Sequence, residues 1–321
     1  MSNVSNEPDA FHDLGFFEGD DYLALPRDPV PWIIKGLIPV GGMVNLYGKP
    51  KTGKSFAALG IAQAVGGGYE YWLTDQFQVC KPGRVVYLQI DTPRGQWAAR
   101  MDKLKGDGKG FPGVWFADTL LAPYPFNILV PEHQAWLERR LKAITPVMVV
   151  IDTLREVHNG DENDSTTMKN VVSAMVKACT PAAVLLVSHS RKANGMDEDL
   201  MNDARGSGYI AGRMDTVVKL TEKHLMFKGR AMGDGKVRVC QHPQTGAIQV
   251  DVTDSDQVVV MARLLARAHP KESALAVAKR LVEAVPGVSL STARRRVAEA
   301  RGEGDEGETH TPSEGEVKDA A

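Results

Sequence analysis

Gly48-Lys49-Pro50-Lys51-Thr52-Gly53-Lys54-Ser55 fills every fixed position of the pattern G-x-x-x-x-G-K-[ST], and its surroundings decide the fold. The glycines let the backbone turn tightly, so that successive N–H groups point inward at phosphate oxygens. Lys54 is spaced to reach the β- and γ-phosphates of ATP, and the Ser55 hydroxyl to ligate Mg2+. A β-rich run, Met43–Tyr47, feeds the loop, and an apolar helical pattern, Phe56–Val65, leaves it and stops at Gly66-Gly67-Gly68. The phosphates would then lie at a helix N-terminus, where the backbone dipole favours anions. The expected nucleotide contacts are Gly48, Lys49, Pro50, Lys51, Thr52, Gly53, Lys54, Ser55 and Phe56, with Lys54 also serving catalysis.

Outward from the loop, runs rich in Val, Leu and Ile recur at Val85–Ile90, Val147–Ile151, Ala183–Val187 and Thr216–Leu220. Such runs suit strands buried on both faces. With helical patterns between them they predict an α/β fold, a mostly parallel central sheet flanked by helices. Ser165–Cys179 sets Met168, Val171, Val172, Met175, Val176 and Cys179 on one helical face, which predicts an amphipathic helix packing on that sheet. Val147–Ile151 runs into Asp152, an acid at the end of a buried strand, placed to hold the water shell of Mg2+ beside Ser55.

Asp91 and His189 also follow strand ends, and ligands of open parallel sheets bind at the carboxyl ends of strands. Asp91 is the candidate to orient or deprotonate an attacking water; the alternative is a cap on a helix beginning near Gly95. His189 is the candidate sensor of the γ-phosphate; the alternative is an ordinary loop histidine.

The 321 residues are 43% hydrophobic, enough for a sizeable core, and their formal net charge of −2 excludes nucleic-acid binding by bulk positive charge. Cys80, Cys179 and Cys240 form no C-x-x-C pair, which argues against a zinc site or a disulfide framework. Met1–Asp20 is polar and acidic with no apolar signal region, and no stretch of about 18 apolar residues occurs. The expectation is a cytoplasmic protein with no membrane partner.

Beyond the loop, further matching text is Gly36-Leu37-Ile38-Pro39 after Trp32, Val86-Tyr87-Leu88-Gln89-Ile90-Asp91, and Val150-Ile151-Asp152-Thr153-Leu154 with its acidic sequel Gly160-Asp161-Glu162-Asn163-Asp164. Val187-Ser188-His189-Ser190-Arg191-Lys192, Ala204-Arg205-Gly206-Ser207 and Lys228-Gly229-Arg230 complete the series. On these residues the chain resembles the RecA-like P-loop ATPases, and among them the RepA-like hexameric replicative helicases of plasmids and phages. The resemblance implies a homo-oligomeric ring, usually of six subunits, with ATP between neighbours and single-stranded DNA in the channel. It puts the catalytic acid on Asp91, where Glu is usual; the shorter side chain implies slow turnover or help from Glu156. It puts the sensor on His189, and basic residues acting on a neighbour's γ-phosphate on Arg205, Lys228 and Arg230. Apart from the resemblance, Lys228 and Arg230 read as a solvated strand edge. The segment Ser190–Asp203 corresponds to a channel loop that follows a nucleic-acid backbone; the alternative is a solvent-exposed lid.

After the core, His224–Val252 reads as antiparallel strands or hairpins. Lys271–Arg301 shows two helical patterns, one apolar at Leu275, Ala278, Leu281, Val282 and Val285, the other at Leu290, Ala293, Val297 and Ala300. Either they form a helix-turn-helix presenting Arg294, Arg295, Arg296 and Arg301 to DNA, or they pack on the core or a neighbouring subunit with those arginines solvated. The expected organisation is a flexible arm over 1–25, the ATPase core over 26–253, this small helical appendage over 254–301, and an acidic disordered tail over 302–321 that aids solubility or recruits a replication partner. The function expected is an ATP-driven motor on single-stranded DNA. Its rivals are an annealing or recombination ATPase and an ATP-switched DNA-binding regulator.

Overall fold

The computed structural model describes residues 15–25, 29–90, 92–105, 110–117, 125–190, 200, 208–231, 233–251, 255–285 and 288–302. The chain divides into Met1–Pro31 and Trp32–Ala321. The first unit holds one short helix, α1 (Gly19–Ala24), none of whose residues is buried.

The second unit opens with a two-stranded ribbon, β1 (Trp32–Ile34) and β2 (Ile38–Pro39), followed by β3 (Met43–Gly48) and α2 (Lys54–Gly67). Next come β4 (Val85–Gln89), α3 (Arg94–Lys105), β5 (Val114–Phe116), α4 (Pro131–Ile144) and β6 (Met148–Asp152). Then follow α5 (Ser165–Cys179), β7 (Ala183–His189), α6 (Gly208–Arg213) and β8 (Thr216–Leu220). An antiparallel run of β9 (His224–Gly229), β10 (Gly235–Gln241) and β11 (Ile248–Val250) leads to three helices, α7 (Ser255–Ala268), α8 (Ala274–Ala284) and α9 (Leu290–Arg301).

One nine-stranded sheet carries the order β11-β10-β9-β8-β3-β7-β6-β4-β5. From β8 to β5 all pairings are parallel, and β9 to β11 extend the sheet antiparallel. Alternate residues of the central strands feed two separate apolar layers. Val44, Leu46, Val150 and Leu185 point to the layer holding α2, while Tyr47, Val149, Ile151 and Leu186 point to the layer holding α5. That two-sided burial is why these strands read as unbroken apolar runs rather than alternating ones. Helix α5 matches its sequence pattern: Met168, Val171, Val172 and Met175 are fully buried. Asp164, the last residue of the acidic sequel, caps it by accepting from the Thr166 and Thr167 backbone N–H groups.

The expected apolar faces of the two last helices are corrected in part. Leu275 and Leu290 are each 42% exposed, and the buried cluster instead uses Val277, Ala278, Leu281, Ala293 and Val297. The cause is α7, whose Val258 and Ala262 close the third side and rotate the buried faces toward it. The consecutive Val258-Val259-Val260 in that helix reads equally as strand or buried helix in sequence.

Truncating Met175 removes a fully buried side chain between α5 and the sheet. Met175→Ala should lower unfolding free energy by about 2–5 kcal/mol in urea melts. The exposed neighbour Lys177→Ala should stay within about 0.5 kcal/mol of the parent.

Candidate nucleotide-binding site

Parallel pairing brings the separated motifs to one edge of the sheet. Gly48, the last residue of β3, pairs with His189 at the end of β7, and Asp152 at the end of β6 pairs with Val187 of β7 and Gln89 of β4. Just beneath, the buried Ser188 hydroxyl donates to the Asn45 side-chain oxygen at 2.8 Å and ties β7 to β3.

The loop between β3 and α2 needs its glycines for two different reasons. A Cβ on Gly48 would overlap the Leu220 carbonyl oxygen of β8, so the strand ends can approach this closely only without a side chain. Gly53 has φ +90°, a conformation that side chains rarely tolerate, and a Cβ there would also sit 3.0 Å from Ile248 Cδ1. Lys54, at the first position of α2, is 6% exposed, and its Nζ donates to the Lys49 carbonyl at 2.8 Å. The loop is thereby wrapped around the lysine that would meet the phosphates. The apolar helix behind it ends, as its glycine run predicts, with Gly68 in the left-handed conformation.

A cavity of about 340 Å3 opens against this loop, lined by Pro50, Lys51, Gly53, Lys54, Ser55, Phe56, Arg100, Asp152, Thr153, His189 and Gln241. Most of the expected contact residues therefore face one space, together with the expected metal pair Ser55 and Asp152 and the expected sensor His189. Gly48, Lys49 and Thr52 support it from behind. Thr52 Oγ1 donates to the Lys49 carbonyl at 2.9 Å, closing the loop on itself. The residues fit a Mg2+-nucleotide. The glycine cradle has no room for Cβ atoms, a cation stands at the helix start, and a hydroxyl and a buried carboxylate share the cavity wall. Among the described residues no three His, Cys, Asp or Glu side chains converge as a metal site. Ser55 and Asp152 would thus hold Mg2+ together with phosphate oxygens and water.

Asp152 is fully buried, and its Oδ2 accepts from the Tyr87 hydroxyl at 2.8 Å. Tyr87 is itself fully buried, with its ring against Trp97 and Phe116 at centroid distances of 5.1 and 5.8 Å. Sequence reasoning missed this positioning residue; its only trace was a phenol inside the apolar run Val85–Ile90. Arg100 of α3 and Gln241 of β10 were also missed, since nothing local connects them to the loop. The turn after β10 reaches the cavity rim: Gln241 donates to the Gly246 carbonyl at 3.0 Å, and a Cβ on Gly246 would strike the Phe56 ring.

Other expected site residues lie elsewhere. Asp91 and Arg205 fall outside the described residues, as does most of the segment Ser190–Asp203, of which Leu200 accepts a 2.7 Å hydrogen bond from Tyr47. Glu156 is exposed and does not line the cavity. Lys228 pairs with Asp234 at 3.5 Å, and the Arg230 guanidinium donates to the Gly212 carbonyl. Register puts Lys228 opposite Val217 and, through β8, near the level of Asn45, about 10 Å back along the strands from Gly48. Neither residue reaches the cavity of its own chain.

Tyr87→Phe should leave the fold intact while freeing the Asp152 carboxylate from its anchor. The Mg2+ concentration needed for half-maximal nucleotide turnover should rise about tenfold or more. An unchanged Mg2+ titration would remove Tyr87 from the site.

The same architecture recurs in solved structures. A DnaB-like replicative helicase, solved with reference to its interactions with primase, superposes with a TM-score of 0.50 at 14% identity, covering 77% of this chain and 68% of that one. An ATPase domain solved on its own gives 0.49 at 15% identity, covering 65% and 84%. A KaiC-like protein, PH0186 from Pyrococcus horikoshii OT3, gives 0.48 at 16% identity, covering 69% and 99%. At such identities the likeness is one of fold, a RecA-like P-loop core with a helical C-terminal region. The family model described as an AAA domain matches residues 8–195, more than half of the sequence, and the chain belongs to that family.

Proposed function

We propose that this chain is an ATP-hydrolysing motor on single-stranded DNA, working in the cytoplasm as a ring in which each site is completed by a neighbouring copy. The observation that carries the reading is the division of charged groups between two ends of one sheet. Lys54, Ser55, Asp152 and His189 gather at the carboxyl edge, while Lys228 and Arg230 stand toward the opposite end. Basic residues that cannot serve their own cavity fit a role in stabilising phosphate charge on a neighbour.

Within one copy, the backbone N–H groups of the loop and Lys54 hold the phosphates, and Ser55 and Asp152 fix the metal ion. That ion, when bound, supplies charge neutralisation on the phosphate oxygens. Asp91 is the proposed group for orienting the attacking water. It directly follows Ile90, whose N–H donates to the Asp152 carbonyl at 3.1 Å, so the chain leaves β4 beside the metal carboxylate. His189, between the cavity and the Ser190–Asp203 segment, is proposed to pass the state of the γ-phosphate to that segment, which would follow the DNA backbone.

Hydrolysis measured with and without single-stranded DNA tests the reading; strong stimulation is expected. Slow turnover indifferent to DNA would favour an ATP-operated switch instead. Lys54→Ala should abolish turnover. Arg230→Ala should bind ATP normally yet turn over about 10³-fold more slowly, with partial recovery on mixing with Asp91→Asn subunits. Wild-type turnover by Arg230→Ala would defeat the proposed role in a neighbour's site.

A further inference from the structure

The last three helices form an apolar cluster of their own, with Ala262 of α7, Leu281 of α8 and Val297 of α9 fully buried. Helix α9 has 12 residues, so it is about 18 Å long. Ser289 caps its start by accepting from the Thr292 N–H at 3.2 Å, and Gly302 ends it in the left-handed conformation. One face is buried through Ala293 and Val297; the other exposes Leu290, Ser291, Arg294 and Arg295.

The arginines of this helix do two different jobs. Arg296 pairs with Glu299 at 2.8 Å, and Arg301 donates to the His269 carbonyl at 3.0 Å, locking the end of α9 to the end of α7. Arg295 Nε stands 3.9 Å from that same Glu299, and Arg294 has no ion-pair partner among the described residues. Elsewhere in the cluster, Arg280 is held by Glu272 at 2.9 Å and Arg267 by Asp75 of the core at 3.4 Å. Uncompensated positive charge is thus concentrated on the exposed face of α9, in a chain whose formal net charge is −2.

We infer that α9 is a recognition helix for double-stranded DNA, with α8 and α9 as the two arms of a helix-turn-helix and α7 as its support. The major groove of B-DNA, about 12 Å wide, admits a helix about 10–12 Å across. Residues near the start of the second helix of such a motif meet base edges. Ser291 and Arg295 occupy those positions, Arg294 faces phosphate, and the exposed Leu290 suits a thymine methyl. A single strand is the poorer occupant: its binding relies on aromatic stacking, and residues 255–301 contain no Phe, Tyr or Trp. This duplex site is separate from the proposed single-strand motor and does not depend on it.

The test is anisotropy of a labelled duplex of about two helical turns with the full chain, titrated with salt. The wild type should bind, and the double variant Arg294→Ala/Arg295→Ala should weaken affinity by about tenfold or more. Its log–log salt slope should flatten by about one for each phosphate no longer engaged. Basal ATP hydrolysis and single-strand binding should stay at wild-type levels. Arg294→Lys/Arg295→Lys should restore the slope, which separates charge from a folding defect. Unchanged duplex affinity in the alanine variant overturns the inference, as does the absence of duplex binding by the wild type at low salt. A change confined to oligomeric mass overturns it too, because α9 would then be a contact between copies.

Discussion

The parallel pairing of β3, β7 and β6 is the constraint on which the rest of the molecule depends. It carries Gly48, His189 and Asp152 to one edge of the sheet despite their separation in the chain. The pairing holds because each strand is sealed on both faces, alternate residues entering the α2 layer and the α5 layer. A backbone buried so completely must satisfy its hydrogen bonds within the sheet, and a register slip would send every side chain to the wrong layer. The cavity is therefore positioned by the core rather than by the loop that gives it its chemistry.

The coupling between core and site is most direct at Tyr87. Its ring belongs to the apolar layer with Trp97 and Phe116, while its hydroxyl holds the carboxylate expected to fix Mg2+. A fully buried carboxylate with no donor would carry a heavy desolvation cost, so this hydrogen bond both orients Asp152 and makes its burial tolerable. The antiparallel extension contributes in another way. By returning β10 to the carboxyl edge, it sets Gln241 and the Gly246 turn against Phe56 and walls the side of the cavity that the parallel strands leave open.

Much of this was legible in the sequence. The five core strands appear where apolar runs predict them, α5 spans Ser165–Cys179 as its periodicity predicts, and α2 ends at its glycines. Those signals are local, set by periodicity and backbone freedom, and a pattern of that kind survives without knowledge of the partner. Leu275 and Leu290 show the opposite case. Their spacing is that of a buried face, yet both are exposed, because the face of a short helix is chosen by what packs on it, here α7.

The sequence by itself determined that a phosphate-binding loop joins a buried strand to a helix, since Gly48, Gly53, Lys54 and Ser55 need only their mutual spacing to form it. It also determined that Asp152 ends a strand buried on both faces. Only the tertiary structure decided that Tyr87 anchors Asp152, that Arg100 and Gln241 wall the cavity, and that Lys228 and Arg230 lie too far back to serve it. Each of those facts depends on strand order and register between segments distant in the chain. Pairing of that kind is set by the fit of whole layers, which no short stretch of residues specifies alone.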